Sequence, residues 1–242
     1  MKTTKIASSA TMLMLGISFL TLSFTGCTKT ENTVAPADET QTKEAILNYS
    51  FTDTIPVANC CIDSLPYETL STDETDALLY MREEEYLAHD VYLTLSLLNT
   101  KPIFRNITRS EQRHTDAIKA LIVKYNLVDP AATHVTGVFT NPALQALYTS
   151  LVSQGSASLL NGLIVGATIE DLDIMDLKTH LLTIDNQDIT AVFNNLMRGS
   201  RNHLRSFYAN ILFVGGIYTP QYLTQEDFNA IVTSKHEIGP GC

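Results

Sequence analysis

Positive charge is scarce in this chain: 16 lysines and arginines stand against 26 aspartates and glutamates, for a formal charge of −10. A surface so short of cations argues against nucleic acid as a partner and against electrostatic adhesion to anionic lipid. Tryptophan is absent, and the four cysteines all lie outside the segments with helical periodicity. A metal site built in those segments would lack thiolates, which disfavours softer ions. No segment alternates convincingly as a strand, and no unit recurs in tandem. No apolar run reaches the about 20 residues that a membrane-spanning helix needs.

The one sustained apolar run, Ala10 to Phe24, follows a short basic start, Met1 to Lys5. It reads as a signal peptide over 1–26. Phe24-Thr25-Gly26-Cys27 resembles a bacterial lipobox, which makes Cys27 the expected acylated first residue. The alternative is an ordinary secreted protein cleaved nearby. Removal of 1–26 takes two lysines and no acid, so the formal charge falls to about −12. The lipid would then supply the anchor, placing the protein in the cell envelope, periplasmic or surface-facing. Leaflet and protein partner stay open, as does a homodimer.

Residues 27–70 carry Thr, Glu, Asn, Ala and Pro with little helical period and read as a tether. Cys60 and Cys61 stand near its end, and Cys242 closes the tail of 236–242. In an oxidising compartment one of the pair could bridge to Cys242. A vicinal disulfide, a soft-metal thiol pair and free thiols are the alternatives.

The segment 71–235 is expected to be all-α. Ser71-Thr72-Asp73-Glu74 is a capping box for a first helix reaching about Asn99, where Lys101-Pro102 interrupts. A second helix spans about Phe104 to Leu127, before Asp129-Pro130. Asn141-Pro142 opens a short helix to Gln154, with Gly155 just past it. Two long helices follow, about Ala157 to Thr183 and Gln187 to Val214. A last one starts near Thr224.

Three-four spacing then exposes the chemistry. The first helix runs Leu78, Met81, Glu85, Ala88, Tyr92, Leu95, a stripe apolar except at the glutamate and the tyrosine hydroxyl. The second runs Phe104, Ile107, Glu111, His114, Ile118, Leu121, Tyr125. Leu163, Ala167, Glu170, Ile174, Leu177 mark the third, with Asp173 one turn from Glu170. The fourth runs Val192, Leu196, Ser200, His203, Phe207. Carboxylate and imidazole three residues apart share a helix face and can address one metal. Burying several unpaired carboxylates at one level costs several kcal/mol and calls for a cation or protons.

Glu85, Glu111, His114, Glu170, Asp173 and His203 are therefore the candidate metal ligands. Glu84 competes with Glu85 as the inward glutamate. His114 could be a buried histidine bonded to Glu111 without metal, and His203 could serve in a salt bridge. Asp173 is either a second ligand or a partner that orients an imidazole. His89, His134, His180 and His236 fit no inward pattern and are expected at the surface.

These stretches resemble the ferritin-like superfamily and, more closely, the ferritin-like proteins grouped as DUF2202. Met81 to Tyr92, Phe104 to His114, Val165 to Ile174 and Gly199 to Arg205 carry the resemblance. It implies an antiparallel four-helix bundle with a long crossover between its second and third helices. It also implies a dinuclear iron or manganese centre, or a single metal. Glu85 with Tyr92 is similar to the Glu and Tyr seven residues apart on the first helix of ferritins and rubrerythrins, with Tyr92 donating to a ligand. Where a second Glu-x-x-His would stand in that pattern, this chain has Ser200-Arg201-Asn202-His203. The implied activity is oxidation chemistry with dioxygen, peroxide or ferrous iron. The alternative is a non-catalytic lipid-anchored module with a structural or vestigial site.

Overall fold

The structure, a computed structural model, describes residues 59–239, with side chains from residue 62 onward. The expected signal peptide, the expected acylation at Cys27 and any pairing of Cys60, Cys61 and Cys242 lie outside the described side chains. Seven helices form among the described residues: α1 (Asn59–Ser64), α2 (Thr72–Leu98), α3 (Pro102–Lys124), α4 (Pro142–Gly155), α5 (Leu159–His180), α6 (Gln187–Phe213) and α7 (Gln225–Thr233). No named strand occurs among them; a single bridge joins Val135 and Val138. None is long and apolar enough to cross a membrane.

Local chemistry sets the helix ends. Ser71 Oγ accepts from Glu74 N at 3.2 Å while Glu74 Oε2 accepts from Ser71 N at 2.8 Å, closing the capping box. The other Glu74 oxygen accepts from Asp185 N and Asn186 N at 3.3 and 3.0 Å, tying the start of α2 to that of α6. Asn141 caps α4 through Ala143 N at 2.9 Å, with Pro142 at the first helical position. α3 stops at Lys124, short of the expected Leu127, because Asn126 adopts φ 52° in the left-handed region.

The order of apolar layers along each helix gives its direction. One layer contains Leu78, Met81, Ile118, Leu121, Leu177, Phe193 and Leu196. The other contains Tyr92, Leu95, Phe104, Ile107, Leu163, Ala167, Phe207 and Ile211. Helices α2 and α6 pass from the first layer to the second, whereas α3 and α5 pass from the second to the first. Two successive long helices that run the same way need a connection as long as themselves. The 125–158 segment with α4 is that connection. The long helices pack α2 on α3 and α5 on α6, with further contact between α3 and α6 and between α2 and α5. Each fully buried Leu, Ile or Phe in these layers contributes about 1.5–3 kcal/mol. Between the layers lies a polar belt.

The end of the expected tether is folded. α1 buries Ile62 in the first layer, and Lys124 Nζ donates to the carbonyls of Ile62 and Leu65 at 2.9 and 3.0 Å. Burial of one isoleucine and satisfaction of two carbonyls hold a segment whose own composition favours no structure.

Candidate metal centre

Three consecutive glutamates on α2 are all buried, and at about 100° per residue they face three different neighbours. Glu83 accepts from the backbone N–H of Thr140 and Asn141 ahead of α4. Glu84 faces Asp173 and Asp176 of α5. Glu85 Oε2 lies 3.1 Å from His114 Nδ1. The open choice between Glu84 and Glu85 thus resolves to Glu85 at the imidazole, with Glu84 buried beside it.

Glu111 stands at the centre. Its Oε2 lies 2.8 Å from His114 Nδ1, and its Oε1 lies 2.9 Å from His203 Nδ1. His203 Nδ1 is also 3.4 Å from Glu170 Oε2. The two rings stack with centroids 5.5 Å apart and planes 22° from parallel. Two donor groups result, Glu85–Glu111–His114 and Glu111–Glu170–His203, each with ligand atoms within 4.8 Å of one another. Either could hold a metal ion, and Glu111 belongs to both. Tyr92 donates to Glu170 Oε1 at 2.6 Å from the layer beneath.

Not all buried acids here are alike. Asp171 is fully buried and accepts from Tyr218 Oη, Gln221 N, Tyr222 N and Leu223 N at 2.5–3.2 Å. Asp90 accepts from His89 Nδ1, His134 Nε2 and Gly137 N. Such carboxylates are structural: their lone pairs are filled by protein donors. In the belt the donors run short. Both oxygens of Glu84, Oε1 of Glu85 and Oδ1 of Asp173 are buried without a hydrogen-bond partner. Asp173 Oδ2 takes a close hydrogen bond from Ser200 Oγ, which also lies 3.0 Å from Leu196 O.

Ionisation follows this shortage. Burial pushes Glu85 up to about 7 against the opposing pull of His114. Burial raises Glu84 far above the usual range, with Asp173 and Asp176 adding to it. Asp173 rises likewise, first from burial and then from the charge of Glu85. Burial alone would raise Glu111 too, but His114 and His203 overcome it and hold Glu111 far below the ordinary carboxylate range. In turn burial disfavours the charged imidazoles, and the glutamates overcome that, holding His114 well above its usual value and His203 up to about 9. Two imidazolium ions therefore provide the positive charge that the carboxylates require.

Close helix approach makes room for the rings. A Cβ on Gly199 would stand 2.6 Å from His114 Nε2, so only glycine lets α6 pass that ring without displacement. The residue sits beside Ser200, and its role has no signature in helical spacing. The four further histidines are all partly exposed. His89 and His134 flank Asp90, with His134 stacked on Tyr86 at 3.8 Å between centroids. His180 lies against Tyr80 and Phe193, and His236 is half-buried. His134 and His236 lie outside the helices, and His180 is the last residue of α5.

Comparison with known proteins adds a family. The model described as an uncharacterized protein domain, DUF2202, matches residues 74–235. The uncharacterized protein MJ0754 of Methanocaldococcus jannaschii is 49% identical over 178 residues, spanning 74% of this chain and 96% of that protein. The crystal structure of hypothetical protein MJ0754 from Methanococcus jannaschii superposes with a TM-score of 0.70 at 48% identity, covering 72% of this chain and 99% of that one.

Proposed function

The chain belongs to the DUF2202 family, and we propose that its two buried Glu/His groups hold a pair of iron or manganese ions in a ferritin-like bundle. The observation that carries this reading is Glu111, which serves two imidazole-bearing groups at once. The residues fit such ions: oxygen and imidazole donors only, mutually close, with Glu85 Oε1 lacking any protein donor. Glu85, Glu111 and His114 would hold one ion, and Glu111, Glu170 and His203 the other. Tyr92 fixes the orientation of Glu170 from outside. The opposed pairs of parallel helices and the long α3–α5 connection support the ferritin-like arrangement.

When bound, iron or manganese supplies redox chemistry toward dioxygen, peroxide or ferrous iron. The chain's own part is to hold the donors and exclude bulk water. Every donor residue is at most 3% exposed, which confines any substrate to an ion or a molecule of a few atoms. The same burial favours a second reading, a structural metal in a non-catalytic envelope module. Acylation of Cys27, with the membrane as partner, belongs to the proposal on the strength of the N-terminal sequence.

Metal analysis of full-length chain purified without chelators, followed by ferrous-oxidation and peroxide-consumption assays against Glu111→Gln, tests it. Close to two redox-active metals per chain and turnover lost in the variant are expected. Metal without turnover would move the protein to the structural reading, and no metal at all would overturn both.

A further inference from the structure

Helices α2 and α6 both run from the first layer to the second, so their last residues, Leu98 and Phe213, share one end of the bundle with the start of α3. Lys101 Nζ, just ahead of α3, stands 4.9 Å from the centroid of the Phe213 ring. Large apolar side chains are exposed at this end: Leu97 at 80%, Ile217 at 81%, and Leu98, Leu212 and Phe213 with them. Exposed apolar residues grouped in this way mark a contact surface.

The formal charge of −10 weighs against anionic lipid for the molecule as a whole, but the charges are not spread evenly. Between Asp90 and Glu111, between Asp129 and Glu170 and between Asp188 and Glu226 the chain has no acid. Those stretches supply the end of α2, the start of α3, all of α4, the start of α5 and the end of α6. Exposed acids stand instead toward the opposite end, at Asp73, Asp76 and Asp185. Along α3 the apolar end continues into Lys101, Arg105 and Arg109, spaced by four and therefore on one face. Arg105 and Arg109 are exposed, and the next acid on that helix, Glu111, is turned inward to the two imidazoles.

We propose that this end of the bundle docks on an anionic lipid surface. Its apolar side chains enter the headgroup boundary, and Lys101, Arg105 and Arg109 meet lipid phosphates. A second copy fits less well, because a symmetric end-to-end contact would set the cations of one chain against those of its partner. The dock is independent of the metal centre. It adds to an acyl anchor at Cys27, since a lipid chain with a basic patch holds a membrane better than either by itself.

The sequence has no tryptophan, so a single introduced one reports its own surroundings. Full-length chain carrying Leu98→Trp, Ile217→Trp or, at the opposite end, Leu182→Trp in place of another exposed leucine is reconstituted with vesicles. The vesicles are brominated phosphatidylglycerol or brominated phosphatidylcholine. On phosphatidylglycerol, blue-shifted emission is expected at positions 98 and 217, with quenching about threefold or more above that at 182. Both signals should fall on phosphatidylcholine. They should also fall on phosphatidylglycerol when Lys101→Glu, Arg105→Glu and Arg109→Glu are combined. Equal quenching at the three positions, equal quenching on the two lipids, or unchanged quenching in the charge-reversed chain would overturn the proposal. Blue emission at 98 and 217 without vesicles would show this end covered by the chain itself or by a second copy, and would overturn it as well. Should the charge-reversed chain fail to fold, the comparison of the two lipids decides alone.

Discussion

Glu111 Oε1 faces His203 Nδ1 at 2.9 Å across the α3–α6 interface, while its second oxygen serves His114 on its own helix. One side chain thereby links an intrahelical pair to a neighbouring helix. Glu111→Gln keeps the shape and removes the charge that both imidazolium ions share. Breaking a buried pair costs about 3–5 kcal/mol, reduced here because each ring can release its proton. A lower melting temperature of the metal-free variant is expected by calorimetry. Added manganese should stabilise wild type and leave the variant unmoved.

Metal binding should release protons. His114 and His203 are held protonated by their glutamates, and a coordinating imidazole must be neutral. Metal affinity should therefore rise with pH up to about 9, where His203 itself loses its proton. Calorimetric titration in buffers of differing ionisation enthalpy measures the release. Binding heats independent of buffer would contradict the protonated pair.

Gly199→Ala sets two effects against each other. Alanine gains about 1 kcal/mol of helix propensity, but a Cβ 2.6 Å from His114 Nε2 forces the ring to move, at about 1–3 kcal/mol. Net destabilisation is expected, with metal affinity falling about tenfold or more as the ring leaves Glu85 and Glu111. Unchanged affinity would show that the ring relaxes without cost.

The tail gives an acid-range prediction. Hydrogen bonds from Arg201, joined by those from Arg205, hold Glu237 down to about 2 despite partial burial. Since the folded value lies below the ordinary 4.5, its stabilising contribution is complete above about 4.5 and is lost as pH falls toward about 2. Glu237→Gln should flatten that part of the stability–pH curve and raise amide exchange in 234–239. Superimposable curves for the two proteins would refute the anchoring.

Cys27→Ala should move the protein from the membrane fraction to the soluble one. Mature wild type beginning elsewhere, or carrying no lipid by mass spectrometry, would end the lipoprotein reading.

Helix existence, caps and inward stripes are legible in the residues because each depends on neighbours within four positions. The Ser71–Glu74 box, Asn141-Pro142 and the Glu111/His114 spacing are of this kind. Residues far apart in sequence decided the rest. Spacing puts Glu85 on the inward stripe with Tyr92, leaves Glu84 as its competitor and gives Glu83 no role. Only the neighbours of α2 assign one to the backbone of 140–141, one to α5 and one to His114. Spacing likewise leaves Asp171 and Asp173 as two acids on α5. The loop of 218–223 fills the lone pairs of the first, and Ser200, 27 residues on, leaves those of the second half-filled. Periodicity selects which face of a helix is buried, but a buried carboxylate's role depends on who donates to it, and those donors arrive only through tertiary packing.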